Sequence, residues 1–460
     1  MIGWPLPALE EARVRSTWRY TWFACWLGLV IVQGVRGGDR GDEFNQVKRE
    51  IQQRLHSKYP EDRIEALQRL ESYPLSGAVA LLQYGLDDPD EKVRLAAYAT
   101  LLKLNGDEEV CKALLQRARK AEYRKRENQA AVPLLGVLLA SELPDVRREA
   151  SELLDKSAAS TKNGLQVVLV LADSLGYHHD AVDVRPLLAL SKTQAFARHF
   201  SVRRAVVDAL TQIADRRAIG ALIDIMDKMG GEARADAVEH LATITKQIYG
   251  MDAEAWQQWW AEEGETFEYP AQKKHAPYRS VALNTTIGTY YGLPLLAEKV
   301  VFVIDTSGSM AGQKIVAAKR ELIQAISGLP ENVQFDIVAF NGSVTVWQKQ
   351  LVKATAKMKK AAVAFVYDRE ARSNTASFDA LETALSFDTE AIYFLSDGAP
   401  YGGKISDPGE IVATISAINK SRRISIYTIG IGAGLPGSSL DLFLMTLAEQ
   451  NQGLYRRVDN

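Results

Sequence analysis

The chain has 460 residues, of which 47% are hydrophobic and 24% are charged, and its formal net charge is -2. This composition is that of a globular protein with room for two or three domains. The balanced charge excludes a protein that is held to nucleic acid or to an anionic surface by its overall charge.

The first 38 residues have the order of a targeting sequence. Arg13, Arg15 and Arg19 precede an apolar run at residues 20–32, and small glycine residues follow it. The run is short for a membrane span, so the order predicts a secretory signal peptide, with a retained membrane anchor as the alternative. We therefore expect export to the periplasm, the cell envelope or the exterior, or attachment to a membrane through residues 20–32.

Residues 43–270 are predicted to form helix after helix. Four segments repeat a theme in which arginine stands next to an apolar residue and alanine follows closely, at residues 62–67, 91–97, 144–150 and 200–205. A second apolar helix follows each segment, and such pairs must stack on neighbours to bury their apolar faces. The stretch resembles HEAT-type repeats, although the spacing is irregular and residues 165–191 fit the pattern poorly. The resemblance implies an all-α solenoid.

Three tryptophans end the helical region on one predicted helix face. Trp256, Trp259 and Trp260 have the spacing i, i+3, i+4, which suits either an aromatic peptide-binding cage or a hydrophobic seal on the solenoid. We favour the seal. Residues 271–298, which contain proline and glycine, are predicted to be a connector at which the two regions can be separated.

A buried strand is predicted at residues 300–304, and it leads directly into Asp305, Ser307 and Ser309 in the pattern Asp-x-Ser-x-Ser. Open α/β sheets bind ligands at the carboxyl ends of their strands, and ligands that are all oxygen suit a hard cation such as Mg2+. The competing interpretation is that these are ordinary turn and helix-cap residues.

Two later segments supply further oxygen ligands. Thr375 stands just before a predicted helix, and Asp397 ends a second apolar strand at residues 391–395 and is followed by glycine. Two predicted strands therefore end in aspartate, and a third hydroxyl lies between them in sequence. This combination favours a metal site over isolated caps.

Residues 299–460 resemble a von Willebrand factor A domain with a metal-ion-dependent adhesion site. Each of the five positions of that site has the expected residue type: Asp305, Ser307, Ser309, Thr375 and Asp397. The resemblance implies a bound Mg2+ or Mn2+ that recognises an exposed acidic residue of a protein partner. It also implies an α/β, doubly wound and mainly parallel sheet.

The residue pattern of this region predicts the same fold. Helical spacing at residues 314–327, 353–366, 377–386, 411–419 and 440–449 alternates with apolar strands. Asn341-Gly342 predicts a hairpin that adds one antiparallel strand to an otherwise parallel sheet.

Enzyme motifs are incomplete in this sequence. Residues 398–404 nearly spell a phosphate-binding loop, but Ile405 stands where a serine or threonine would hold Mg2+. His178 and His179, with Asp180 and Asp183, lack a zinc-protease spacing and are predicted to lie in a loop. We therefore predict a binding or scaffold protein. The alternatives are a helical scaffold that binds without metal and, less favoured, an enzyme that uses Mg2+ as a Lewis acid.

Overall fold

The computed structural model describes residues 37–122, 131–160, 164–177, 183–270, 288–432 and 436–459. The predicted leader up to residue 36, the histidine pair and most of the connector lie outside these ranges. The chain divides into two compact units, Met1–Lys48 and Arg49–Asn460. Within the described ranges no helix is both long and apolar enough to cross a membrane.

The amino-terminal half of the described chain is helical. Its helices are α1 Gly37–Leu55, α2 Pro60–Arg69, α3 Ser76–Leu86, α4 Glu91–Lys103, α5 Glu108–Glu122, α6 Ala131–Ala140, α7 Pro144–Ser160, α8 Gly164–Tyr177, α9 Val184–Leu190, α10 Gln194–Arg198, α11 Phe200–Gln212, α12 Arg216–Ile225, α13 Gly231–Thr245 and α14 Ala253–Glu263. Within the unit Arg49–Asn460, successive helices pack on one another, so the predicted helical solenoid is confirmed.

The arginine theme of the sequence has a structural cause. In each of the four predicted segments, the arginine near the helix start donates a hydrogen bond to the backbone carbonyl six residues earlier. The pairs are Arg63 to Ser57 (2.8 Å), Arg94 to Asp88 (2.7 Å), Arg147 to Ser141 (2.5 Å) and Arg203 to Ala197 (3.1 Å). The guanidinium thereby satisfies a carbonyl in the turn that precedes its helix, where the backbone has no helical partner.

The carboxyl-terminal half is an α/β sandwich. Its strands are β1 Thr289–Tyr290, β2 Leu293–Pro294, β3 Lys299–Asp305, β4 Gln334–Phe340, β5 Val344–Val346, β6 Val352–Lys353, β7 Ala391–Ser396, β8 Ser425–Ile431 and β9 Tyr455–Val458. Its helices are α15 Gln313–Gly328, α16 Ala356–Tyr367, α17 Ser377–Leu385, α18 Pro408–Asn419 and α19 Ser439–Gln450.

The main sheet has the order β5-β4-β3-β7-β8-β9, with β6 also paired to β4. Strands β3, β4, β7, β8 and β9 are parallel to their neighbours, whereas β5 and β6 are antiparallel to β4. The α/β doubly wound, mainly parallel fold that the sequence predicts is confirmed. Two short strands, β5 and β6, are antiparallel to β4, whereas the sequence predicted one. The second arises because the chain after β5 pairs with β4 again.

Helices cover both faces of the sheet, so its central strands are buried on both sides. Phe302 and Ile304 of β3 pack in one apolar cluster with α15 and α16, whereas Val301 and Val303 pack in the other with α17, α18 and α19. The helix after β3 and the helix after β7 therefore lie on opposite faces. The gap between the carboxyl ends of these two strands is the point at which open α/β sheets bind ligands.

The helical region packs on the amino ends of β7 and β8. Arg204 of α11, which is 1% exposed, donates to the carbonyl of Arg423 and to Ser425 Oγ, both at 2.8 Å. Glu232 of α13, which is fully buried, accepts hydrogen bonds from the hydroxyl of Tyr427 at 2.9 and 3.0 Å. Buried charges at this interface are thus matched by hydrogen bonds from the other side.

Glu390 stands at the same interface, immediately before β7. Its Oε2 accepts from the backbone N–H of Glu298 at 3.0 Å, and Arg203 lies 3.6 Å from its Oε1. Burial raises the pKa of Glu390 to about 7, and the neighbouring carboxylates of Glu298 and Glu232 act in the same direction while Arg203 opposes them.

The domain limits that the sequence predicts, 43–270, 271–298 and 299–460, remain a prediction.

Candidate metal centre

Asp305 is the last residue of β3 and is completely buried. Its Oδ1 accepts a hydrogen bond from the backbone N–H of Ser307 at 2.7 Å, and its Oδ2 accepts from Ser396 Oγ at 2.5 Å. Burial raises the pKa of Asp305 to about 6, although both hydrogen bonds favour the ionised form. The sheet therefore places a carboxylate where water solvates it poorly.

Ser307 and Ser309 follow on a short turn of 3-10 helix, Gly308–Met310. Ser307 occupies the cap position of this helix, yet its side chain makes no capping hydrogen bond. Its Oγ lies 3.0 Å from Ser309 Oγ instead, so the two hydroxyls face one another. This geometry disfavours the interpretation of these serines as ordinary helix caps.

Thr375 reaches the same place from a separate loop. The N–H of Gly308 donates to the carbonyl of Ser373 at 3.0 Å, which joins the two loops. Thr375 and Tyr401 exchange two backbone hydrogen bonds of 2.9 Å, so the segment before α17 is also tied to the loop after β7. Thr375 is buried, and its position is therefore fixed from both sides.

Asp397 directly follows β7 and is also buried. Its Oδ1 accepts a hydrogen bond from Ser309 Oγ at 2.7 Å. Its Oδ2 lies 2.6 Å from Nζ of Lys314, which comes from the first turn of α15. Asp397 is thus bonded on one oxygen to a predicted metal ligand and on the other to an ammonium group.

Gly398 shows how closely the ligand set converges. A Cβ atom at this position would lie 3.2 Å from Ser309 Oγ and 3.7 Å from Thr375 Oγ1. Hydroxyls from two different loops therefore approach the same point beside the backbone of residue 398. A side chain there would press on Ser309 Oγ, whereas its contact with Thr375 Oγ1 would have an ordinary length.

The converging groups are two carboxylates and three hydroxyls. In the described part of the chain, no three His, Cys, Asp or Glu side chains gather closely enough to hold a metal ion, so the centre is rich in hydroxyls. Neutral and anionic oxygen atoms together suit Mg2+ or Mn2+, whereas the soft and nitrogen ligands typical of zinc are missing from this set. Ser309 is exposed, so solvent reaches the cluster from its side.

Of the five residues that the sequence singled out, Asp305, Ser307, Ser309 and Asp397 contact one another in a chain, and Thr375 lies on a loop joined to theirs by backbone hydrogen bonds. Sequence reasoning missed Ser396, which orients Asp305, and Lys314, which pairs with Asp397. Ser396 carries a weak signal, since a serine before the aspartate ends an otherwise apolar strand. The loop of residues 398–404 leads to α18, which begins at Pro408, so no helix opens on it as a phosphate-binding loop requires.

Comparison with known families agrees with the two halves of the fold. A family model described as von Willebrand factor type A domain matches residues 298–457, and one described as HEAT repeats matches residues 49–132. The chain therefore carries HEAT repeats followed by a von Willebrand factor A domain.

The curated relatives match the second half. The chain is 33% identical over 181 residues to inter-alpha-trypsin inhibitor heavy chain H3 of Bos taurus. It is 31% identical over 180 residues to heavy chain H4 of Homo sapiens. These alignments cover 36% of this chain and 20% and 19% of the two relatives, so the chain spans about a fifth of their length.

Solved structures show weaker similarity. A von Willebrand factor type A protein from Catenulispora acidiphila is 22% identical with a TM-score of 0.31, over 36% of this chain and 40% of that one. An aerotolerance-related membrane protein from Bacteroides fragilis is 20% identical with a TM-score of 0.28, over 35% of this chain and 92% of that one. Neither neighbour supports a conclusion about function.

Proposed function

We propose that this protein is a metal-dependent protein-binding or scaffold protein and not an enzyme. Asp305, Ser307, Ser309, Thr375 and Asp397 would hold Mg2+ or Mn2+, and the site would recognise an exposed acidic residue of a partner protein. When bound, the cation supplies positive charge and a coordination position for the partner's carboxylate.

One observation carries this proposal. Side-chain oxygens of Ser307, Ser309 and Asp397 meet at the carboxyl ends of β3 and β7, where the strand order switches, and the Thr375 segment is joined to both loops by backbone hydrogen bonds. These oxygens gain little as structural caps, since Ser307 makes no capping hydrogen bond with its side chain. A buried carboxylate is costly unless opposite charge is near it, and a cation would supply that charge to both Asp305 and Asp397.

Charge balance favours an acidic partner. Two carboxylates neutralise a doubly charged cation, and the hydroxyls contribute no charge. Lys314 then adds one positive charge 2.6 Å from Asp397 Oδ2. With the cation bound, the group formed by the ion, the two carboxylates and Lys314 would carry one positive charge in excess and would attract a carboxylate.

The surface around the centre is available to a partner. The helical region contacts the opposite end of the sheet, through Ser425 and Glu390 at the amino ends of β8 and β7. Because parallel strands point the same way, the carboxyl ends with Asp305 and Asp397 face away from that contact. The helices that the structure describes in the unit Arg49–Asn460 therefore contact the sheet away from the centre and would provide a second surface of their own.

The proposal also covers the class of partner and the location of the protein. Partners are proteins rather than nucleic acid, and the protein acts outside the cytoplasm, as an exported protein or one attached to a membrane through residues 20–32. That segment lies outside the described residues. Amino-terminal sequencing of the mature protein tests export, and recovery of intact Met1 from a soluble cytoplasmic fraction would contradict it.

The function is tested by capture of partners from the native extract with and without a chelator. Wild type should lose its partner on chelation, and Asp305→Ala should lose it at every Mg2+ concentration. Asp388→Ala is a matched control, because Asp388 is an exposed carboxylate at the amino end of β7. If neither the chelator nor Asp305→Ala changes capture of the partner, the binding surface is the helical scaffold and not the metal centre.

A further inference from the structure

A deep groove runs along the helical region, separate from the candidate metal centre. It has a volume of about 990 Å3 and is lined by residues of α4, α6, α9, α12 and α14. A second cavity of about 690 Å3 adjoins it and shares Glu142, Arg185 and Leu188 with it. Because the two cavities share these lining residues, we refer to them together as the helical groove.

One end of the helical groove has an aromatic wall, which stands among the charged side chains of Arg216, Arg217, Asp224 and Glu265. Trp260 forms a wall there, held by ring contacts to Trp259 and Phe267 at 5.8 Å each. A Cβ atom at Gly220 would lie 2.8 Å from Nε1 of Trp260, so the glycine lets the indole lie flat against α12. Ala261, which is exposed, continues this apolar surface.

The predicted role of the three tryptophans is thus divided between them. Trp256 is completely buried, and its Nε1 donates to the carbonyl of Gly250 at 2.9 Å, as a hydrophobic seal requires. Trp260 is half-buried and faces the helical groove. A sealing side chain has no need of a cavity in front of it, whereas an aromatic binding wall does.

The other end of the helical groove is basic. Arg147, Arg148, Arg185 and Lys192 line it together with one carboxylate, Glu142. Arg148 is paired with Asp145 at 2.9 Å. Arg147 and Arg185 donate instead to backbone carbonyls, those of Ser141 and Ala140, so their positive charges are not neutralised by these bonds.

We propose that the helical groove binds an extended acidic segment of a partner protein, with an apolar side chain against Trp260 and carboxylates near Arg185. The charge pattern selects this occupant, because Arg147 and Arg185 donate to backbone carbonyls and a carboxylate of the partner would supply the opposite charge. Residues 271–287 of this chain are a poor match, since they contain Lys273, Lys274 and Arg279 and no acidic residue. The site is independent of the metal centre.

Fluorescence polarisation of the full chain with a short labelled peptide of alternating glutamate and leucine tests this proposal. A peptide of alternating serine and leucine and one of alternating lysine and leucine are the matched probes. We expect the acidic peptide to bind more tightly than both, with an affinity that falls as salt is raised and that chelation does not change.

Two variants locate the site. Arg185→Glu reverses a charge at the basic end, and Ala261→Glu adds a carboxylate to an exposed helix position at the aromatic end, so at least the second should fold normally. Each should weaken binding of the acidic peptide roughly tenfold or more. Arg320→Glu, an exposed arginine of α15, makes the same charge change elsewhere and should have no effect.

Several results would overturn the proposal. One is equal binding of the serine and glutamate peptides, and another is unchanged affinity in both groove variants. Heparin binding without peptide binding would identify a site for polyanions of another class. Self-association of wild type that is abolished by Ala261→Glu would show that a second copy of this chain occupies the groove.

Discussion

Replacing Lys314 by glutamine should have opposite effects on the metal-free and the metal-bound protein. The Asp397 side chain is completely buried and that of Lys314 is 25% exposed, and they pair at 2.6 Å. Exposed ion pairs contribute about 0–1 kcal/mol, whereas breaking a buried pair costs about 3–5 kcal/mol. This pair lies between the two cases, so the variant should lose about 1–3 kcal/mol of stability without metal.

The same substitution should strengthen metal binding. In wild type a cation must compete with Lys314 for the Asp397 carboxylate, and it binds beside a positive charge. Without that ammonium group, the affinity for Mg2+ should rise by about 5- to 30-fold, which corresponds to about 1–2 kcal/mol. Excess Mg2+ should then restore part of the lost stability through binding to the native state.

Two measurements check this prediction. Thermal unfolding in chelator should show a lower Tm for Lys314→Gln, by about 2–4 °C for each kcal/mol lost. Isothermal titration with Mg2+ gives the affinity. Lys299→Gln is the matched control, because Lys299 pairs with the exposed Asp388 and should change either quantity little. A variant with weaker Mg2+ binding, or with wild-type behaviour in both assays, would refute the role of Lys314.

Other expected outcomes concern single groups. Thr375→Ala removes one neutral oxygen and should weaken Mg2+ binding by about tenfold, less than Asp305→Ala, with unchanged circular dichroism. Because the pKa of Glu390 is raised from 4.5 to about 7, folding stability should fall as pH rises through this window, and Glu390→Gln should remove about 3 kcal/mol of that dependence in unfolding measured from pH 4 to 8. Tyr427→Phe leaves buried Glu232 without that hydroxyl's hydrogen bonds and should cost about 1–3 kcal/mol. After limited proteolysis within residues 271–287, the two fragments of Tyr427→Phe should separate more readily on a sizing column than those of wild type. The first prediction is contradicted if Thr375→Ala binds Mg2+ as tightly as wild type. The second is contradicted if the stability does not depend on pH in this window, and the third if Tyr427→Phe is as stable as wild type.

Much of the sheet and of the candidate site is readable from the sequence because the signals are local. The buried parallel strands β3 and β7 are largely apolar, and an aspartate ends β3 and directly follows β7. Carboxyl ends of neighbouring parallel strands meet at one edge, so Asp305 and Asp397 were predictable as a pair. Ser307 and Ser309 follow by their spacing from Asp305.

The groups that the sequence did not reveal act across long distances in the chain. Lys314 pairs with a residue 83 positions away, and nothing near it distinguishes it from a solvated helix lysine. Arg204 and Glu232 look like ordinary charged positions on amphipathic helices, yet both are buried against the sheet. The partners of these two residues become known only when the helical region is packed on the sheet. No sequence periodicity encodes that packing.

The repeated arginines illustrate an intermediate case. Their recurrence beside apolar residues was visible, because Arg63 and Arg94 occupy equivalent places in α2 and α4, the first helices of successive pairs. Their bonds to carbonyls six residues earlier were not predicted, because a helix pattern does not specify the course of the preceding turn. Here the sequence shows that a residue recurs, and the structure gives its physical role.

The central claim is that the oxygen cluster at β3 and β7 holds a divalent cation, and titration of the full chain with Mg2+ tests it most directly. Isothermal titration of wild type should show one saturable site, and Asp305→Ala should abolish it while circular dichroism and the helical content remain unchanged. Asp388→Ala should titrate like wild type. Wild-type protein that takes up no Mg2+ or Mn2+, or Asp305→Ala protein that binds either ion as tightly as wild type, would contradict the account.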